Sequence, residues 1–229
     1  MKARYLIYIL LSVVLIAECS KESGTLAYET TEIGSITGSI FKGDGGNTYD
    51  IVEDAAGVKD MERAYVTFDV LSKTADKRYD IAVKKYQKAL VKDPIYLTQA
   101  PDTLGNDAIY LYTAWLSGGY LNMRVVMNFK LNSTVSHWVN LVYDDTAEMD
   151  TLRFHLTHNG HGEGNILTAT DTTGYRNGAA MMSIPIVQLM PSSMNEIPIK
   201  VTSTWYERDT SGVYTGDLKT YTRTGTLYR

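Results

Sequence analysis

The sequence predicts an all-β protein of the sandwich or barrel class, and three observations carry that prediction. Apolar residues recur with a period of two through most of the chain, the spacing of a strand with one buried face. Clusters rich in Gly, Asn and Asp ("KGDGGN", "GGY", "NGHGEGN") separate these runs as turns. The runs are short and many, without the alternating helical segments of an α/β chain.

Taken in order, "RAYVTFDV" places Ala64, Val66, Phe68 and Val70 on one face and Arg63, Tyr65, Thr67 and Asp69 on the other. "IAVKKYQKALVKDP" is ambiguous: Val83, Gln87, Leu90 and Val91 have helical spacing, yet the stretch also reads as strand. Asp93-Pro94 ends it, because proline disfavours helical geometry in the residue before it. "TQAPDTLGND", 98 to 107, is poor in core residues and reads as an exposed inter-domain linker. "IYLYTAWL" is apolar on both sides, with Tyr110 and Tyr112 among its residues, and suggests a central strand buried between layers. "YLNMRVVMNF" alternates again, with Leu121, Met123, Val125, Met127 and Phe129 inward. So do "TLRFHLTH", through Leu152, Phe154 and Leu156, and "IPIKVTSTWY", through Ile197, Ile199, Val201 and Trp205.

The N-terminus has a different character. Lys2 and Arg4 precede a 13-residue apolar run, Tyr5 to Ala17, which Glu18 ends. A membrane-spanning helix needs roughly 20 such residues, so the run reads as a secretory signal. The chain's only cysteine, Cys19, follows at once. "LIAEC" resembles the lipobox of bacterial lipoproteins, in which the cysteine is acylated, although Glu18 stands where a small residue is usual. "SKES" after it is similar to the stretch that follows lipidated cysteines in Bacteroidota. Each acyl methylene adds about 0.8 kcal/mol of membrane affinity, so two or three chains anchor a protein stably. Ordinary cleavage nearby, leaving Cys19 idle, is the alternative.

Removing residues 1 to 18 takes Lys2, Arg4 and Glu18 with it and changes the net charge from −4 to −5. A mildly acidic exported chain argues against nucleic acid, which needs clustered Lys and Arg. Seventeen tyrosines against four phenylalanines favour half-buried strand positions and contacts with sugars or peptides.

Catalytic templates are weak. His155, His158, His161 and Glu163 fall close together, with His137 upstream, and three of them could in principle hold zinc. On a strand, however, His155 and His158 point to opposite faces, so the expectation is no metal and no cofactor. His137 shares its face with Val139, Leu141 and Tyr143 and reads as a core histidine. The chain has no Gly-x-Ser-x-Gly elbow and no phosphate-binding Gly-Lys-Ser/Thr loop. The pairs Asp144-Asp145 and Glu53-Asp54 sit in polar turns, and Asn132-Ser133-Thr134 reads as a hairpin turn. The polar face of residues 120 to 128, with Tyr120, Asn122 and Arg124, has the groups of a carbohydrate- or peptide-contacting surface, and equally those of a solvated strand.

The ordered series "DPIYL", "AWLSGGYLNMRVVMNF", "SHWVNLVYDD", "TLRFHLTHNGHGEG" and "MMSIPI" resembles the NigD-like lipoproteins of Bacteroidota. The resemblance covers residues 35 to 190, and implies an OB-like β-barrel followed by an antiparallel β-sandwich behind a lipidated cysteine. It carries over Cys19 as the anchor and no catalytic residue. The expected organisation is a signal peptide at 1–18, a flexible tether at 19–34, the barrel at 35–97, a linker at 98–106 and the sandwich at 107–229. The functional expectation is a non-catalytic protein, lipid-anchored in the outer membrane with a periplasmic or cell-surface face, binding a glycan, peptide or envelope protein. The alternatives are an accessory structural subunit of an envelope complex and a hydrolase.

The anchor is directly testable. Cys19→Ala is expected to release the protein from the membrane fraction or leave its precursor unprocessed; unchanged partition and unchanged acyl labelling would refute it.

Overall fold

The computed structural model describes residues 28–60, 62–163, 174–212 and 214–228. The signal segment and Cys19 lie outside the described residues, where thirteen strands and three 3₁₀ turns account for the regular structure. The strands are β1 (Tyr28–Thr37), β2 (Ile40–Gly43), β3 (Thr48–Asp54), β4 (Arg63–Ala75), β5 (Arg78–Val91), β6 (Ile95–Tyr96) and β7 (Ile109–Ser117). They continue with β8 (Tyr120–Lys130), β9 (Trp138–Tyr143), β10 (Leu152–Asn159), β11 (Tyr175–Pro185), β12 (Glu196–Arg208) and β13 (Tyr214–Tyr228).

Strands β1 to β5 close into an OB-like barrel. β1 pairs antiparallel with β2 and β4, β2 with β3, and β4 with β5. A parallel β3–β5 pairing completes the ring in the order 1-2-3-5-4. Its interior takes the apolar face read from the sequence, Ala64, Val66, Phe68 and Val70, together with Phe41, Tyr49, Ile81 and Val83. The rings of Tyr49 and Phe68 lie 4.7 Å apart and those of Phe41 and Phe68 5.9 Å apart, within the range of favourable aromatic pairs. β5 is a strand because β4 pairs along it from Arg78 to Lys88 and β11 pairs with it at Ala89–Val91, and Leu90 and Val91 are exposed rather than on a helical stripe.

Two boundaries differ from expectation. Residues 28–34 are not tether: β1 starts at Tyr28 and pairs with β4 from Tyr28↔Val70 to Ser35↔Arg63. Its first residues, Tyr-Glu-Thr-Thr-Glu, are polar and show no apolar alternation before Ile33. Residues 98–106 are not a free linker either. The chain leaves the barrel at Val91, and by Ile95–Tyr96 it is already paired, parallel, with β9. Lys92 is fixed at the crossing by donating to Val139 O (2.9 Å) and Asn140 Oδ1 (2.5 Å).

The second half is a β-sandwich. One layer is β11-β8-β7, joined to the barrel through a parallel β5–β11 pairing at Ala89–Val91, so that a single sheet runs through both halves. The other layer is β13-β12-β10-β9-β6, in which β10–β12 and β6–β9 are parallel, so the sandwich is not purely antiparallel. Between the layers lie Leu121, Met123, Val125 and Met127 of β8, Leu152, Phe154 and Leu156 of β10, and Ile197, Ile199 and Val201 of β12. β7 is an edge strand rather than a central one, and Tyr112 is exposed. Part of its apolar second face is covered by the hairpin β12–β13: Tyr110 and Val126 pack with Trp205, Tyr206 and Tyr221 in a small separate core.

A buried polar network locks the halves together. The β2–β3 turn is drawn onto Glu32, whose carboxylate accepts from Gly45 N–H (2.7 Å) and from the Tyr49 hydroxyl (2.7 Å). This presents Asp44 to Arg63, which donates Nη1 to Oδ1 (2.9 Å) and Nη2 to Oδ2 (2.5 Å). Arg63 Nη2 also donates to Asn122 Oδ1 on β8 (3.1 Å), Ser183 Oγ of β11 to the same oxygen (2.6 Å), and Ser117 Oγ of β7 to Asp44 (2.5 Å). The guanidinium lies 4.0 Å over the Tyr120 ring. Gly118 has φ +57°, and a Cβ there would lie 2.5 Å from Asp44 Oδ1, so the β7–β8 turn needs glycine on both counts.

Removing one partner of a buried ion pair strands the other charge, at a cost of about 3–5 kcal/mol. Asp44→Ala is therefore expected to destabilise the whole chain by roughly that amount, measured by denaturant unfolding. Asp44→Ala combined with Arg63→Met is expected to recover part of the loss.

Candidate functional site

The second layer has an outward face as well as a core face. Alternation along β10 sends Arg153, His155 and Thr157 outward, while β12 contributes Lys200 and Thr202 and β9 contributes Val142. Over this floor lies the segment 97–106, which forms two 3₁₀ turns, Leu97–Gln99 and Asp102–Leu104. Floor and segment enclose a groove of ≈ 570 Å³, the size of a small-ligand site. Leu97, Pro101, Leu104 and Val142 form its apolar wall.

The segment is held as a lid. Thr98 donates its N–H (3.0 Å) and hydroxyl (2.5 Å) to Asp145, bonds that hold the carboxyl below its ordinary pKa. Asn159 Nδ2 donates to Thr103 O (2.8 Å), and Asp107 N–H to His158 O (2.9 Å). Gly105, at φ +76°, comes so near β10 that a Cβ would lie 2.6 Å from His158 O and from Asn159 Cβ. Only glycine suits that backbone geometry and that approach.

The floor is polar and ordered in rows. Arg153 and Lys200 are direct partners across the parallel β10–β12 pair, as are His155 and Thr202. Like charges opposite each other in a sheet repel. Arg153 Nη2 reaches Asp150 at 2.8 Å, and Lys200 has no ion-pair partner among the described residues. Thr202 Oγ1 donates to Phe154 O (3.1 Å), so it accepts from His155 Nδ1–H (2.9 Å), which leaves His155 Nε2 an open acceptor. Desolvation lowers the His155 pKa, which favours the neutral ring. Thr157 is 5% exposed, and its hydroxyl has no hydrogen-bond partner. Asp144 also lines the groove, but its carboxylate accepts the hydroxyl (2.6 Å) and N–H (3.1 Å) of Thr146.

The surface read from residues 120 to 128 is not one open face. Asn122 is fully buried in the network between the halves, and Tyr120 lies under Arg63. Arg124 stays exposed, 5.3 Å over the Tyr112 ring. Val126 joins the aromatic cluster, and Asn128 is buried. Sequence reasoning missed the groove itself. Its floor is visible as the polar positions of "RFHLTH" and "KVTST", but nothing local shows that residues 97–106 fold onto them.

The histidines divide as strand geometry requires. His155 faces the groove, and His158 is fully buried on the opposite side. His158 Nδ1–H donates to Ala108 O (3.0 Å), so its Nε2 accepts from His137 Nδ1–H (2.8 Å). His137 packs against Phe129 with the rings tilted and their centroids 4.4 Å apart, and its Nε2 is buried without a partner. Among the described residues no three His, Cys, Asp or Glu side chains converge as a metal set.

Burial lowers the pKa of His137 and of His158, despite opposing pulls from Glu163 on the first and the Ala108 carbonyl on the second. Below about pH 6.5 the unfolded chain binds protons that these folded rings resist, so stability is lost as pH falls through that value. The denaturant midpoint is expected to drop between pH 7.5 and pH 5. His158→Gln is expected to lower the midpoint at pH 7.5 and flatten this slope, and an unchanged slope would exclude the pair as its source.

The comparisons agree with this architecture. Solved structures similar to this chain include a protein of unknown function from Bacteroides vulgatus, 20% identical with a TM-score of 0.61, covering 87% of this chain and 92% of that one. A NigD-like immunity protein from Bacteroides caccae is 20% identical with a TM-score of 0.58, covering 81% and 89%. A presumed lipoprotein from Bacteroides fragilis is 11% identical with a TM-score of 0.56, covering 85% and 97%. These likenesses establish the shared fold. No curated protein matches the sequence. Residues 94–214 match the family model of the NigD-like C-terminal beta sandwich domain, beginning where the chain enters the second half. The chain belongs to the NigD-like family.

Proposed function

We propose that this protein is a non-catalytic, lipid-anchored envelope protein of the outer membrane that binds a partner in the groove beneath residues 97–106. The signal-like N-terminus and Cys19 support the anchor and the compartment, and a similar structure carries the description of a presumed lipoprotein. The observation that carries binding is the hydroxyl of Thr157, 95% buried on the floor of an accessible groove and left without a partner. An unpaired buried hydroxyl costs about 1–3 kcal/mol, a cost offset when Thr157 turns its oxygen from this closed position toward a ligand in the groove.

The groove chemistry supports binding rather than turnover. His155 receives no proton from Thr202, because that hydroxyl donates to a backbone carbonyl. No carboxylate orients the ring among its described hydrogen bonds. A general base needs the proton it removes within hydrogen-bond reach and a nucleophile aimed at substrate, and this pair lacks both.

The reading is tested in cells with a photo-crosslinking residue at Asn106 on the lid, against one at the exposed Thr220 of β13. A discrete adduct from position 106 alone, lost with Gly105→Ala, is the expected result. Equal labelling from both positions, or no adduct from position 106, refutes a groove partner.

A further inference from the structure

We infer that the groove recognises the C-terminal end of an extended peptide: a free carboxylate on Lys200 and Arg153, with an aliphatic last side chain against the Leu97–Leu104 wall. This deepens the proposed function and rests on its reading of the groove as a binding site.

The floor presents its polar groups in the order that a peptide terminus requires. At one end Lys200 and Arg153 stand side by side across β10–β12, a repulsive placement that an anion relieves. The bond from Arg153 to Asp150 involves two side chains open to water, so it contributes little and is easily exchanged. One position further along, His155 offers a neutral acceptor at Nε2, suited to a backbone N–H. At the far end Thr157 has an unpartnered hydroxyl, closed to water in its present rotamer, that a rotation about χ1 would bring to a backbone carbonyl or amide. Arg153 and Thr157 are four residues apart on one strand face, roughly 13 Å at strand rise. An extended peptide covers that distance with about four residues.

Of the two carboxylates lining the groove, Asp144 lies across from Arg153 just past β9, which leaves Lys200, on the other side of Arg153, as the cation open to an anion. Asp144 is turned to Thr146, and Asp102 belongs to the lid rather than to the Lys200–Arg153 row. The walls distinguish a peptide from a sugar. Leu97, Pro101, Leu104 and Val142 are aliphatic. Phe154, the one aromatic residue lining the groove, sends its ring into the core, where it packs 5.5 Å from Tyr143. The one ring open to the groove is the His155 imidazole, so a saccharide finds no Trp, Tyr or Phe face to stack on.

The test uses the full chain in detergent, with fluorescently labelled pentapeptide pools ending in Leu or Val, each as the free acid and as the amide. Acidic oligosaccharides form a second arm. The expected result is binding of the acid pools, at least about tenfold weaker binding of the amides, and loss of that discrimination in Lys200→Gln. Thr157→Val is expected to weaken acids and amides alike. Equal binding of acid and amide, or a Lys200→Gln variant that still discriminates, overturns the carboxylate assignment; the groove reading survives if Thr157→Val still weakens binding. Absence of peptide binding, with an acidic oligosaccharide bound and displaced by Thr157→Val, overturns the peptide and keeps the groove. Binding untouched by either variant overturns both.

Discussion

The Asp44–Arg63 pair is the constraint on which the arrangement of the two halves depends. Each side chain is less than a tenth exposed, and the pair is usable only because both halves supply its remaining bonds. The barrel contributes the Glu32-clamped turn that aims Asp44, and the sandwich contributes Ser117, Asn122 and Ser183. A hydrophobic junction would hold two β units together in several orientations. Directional bonds to a planar guanidinium permit one. The parallel β5–β11 pairing then extends a single sheet through the junction, and the short crossing at residues 92–94 leaves no slack for the halves to separate.

That rigidity also sets the groove. Its lid begins immediately after the crossing, and Lys92, the first residue past the barrel, is bonded to β9 at Val139 and Asn140. From Ile95 the chain runs along β9, is tied at Thr98 to Asp145 in the β9–β10 turn, and then passes over the end of β10, where Thr103 and Gly105 meet it. The lid is thus a consequence of how the chain enters the sandwich, not an insertion placed on it.

Much of this was legible in the sequence, and the illegible parts share a cause. β4, β8, β10 and β12 alternate because each has one face in a core, and a period of two needs no knowledge of neighbours. β1 was hidden because its outer half is polar, and its pairing is specified by β4 some thirty residues away. β6 is two residues long and exists only through β9. β7 reads as central because both its faces are apolar, yet it is an edge strand whose second face is covered only in part, by the β12–β13 hairpin. The site followed the same rule. The opposed directions of His155 and His158 could be read locally. Asn122 could not, because a polar residue in alternation looks solvated when its partner is 59 positions away. The lid reads as a linker for a similar reason: Pro, Gly and Asp make a linker composition, and the bonds that hold it down come from the β9–β10 turn and from β10.

The order of strands gives the network a history as well as a geometry. The barrel's five strands are complete by Val91, so a chain emerging N-terminus first can close that ring while the sandwich is still being delivered. In that interval Asp44 and Arg63 have each other and water but lack Ser117, Asn122 and Ser183. The last of these arrives on β11, the strand that also extends the barrel's sheet through β5. Docking of β11 therefore dehydrates the ion pair and joins the sheets in one event. Until then the barrel presents the free edge of β5, which invites strand pairing, and a charge pair still open to water.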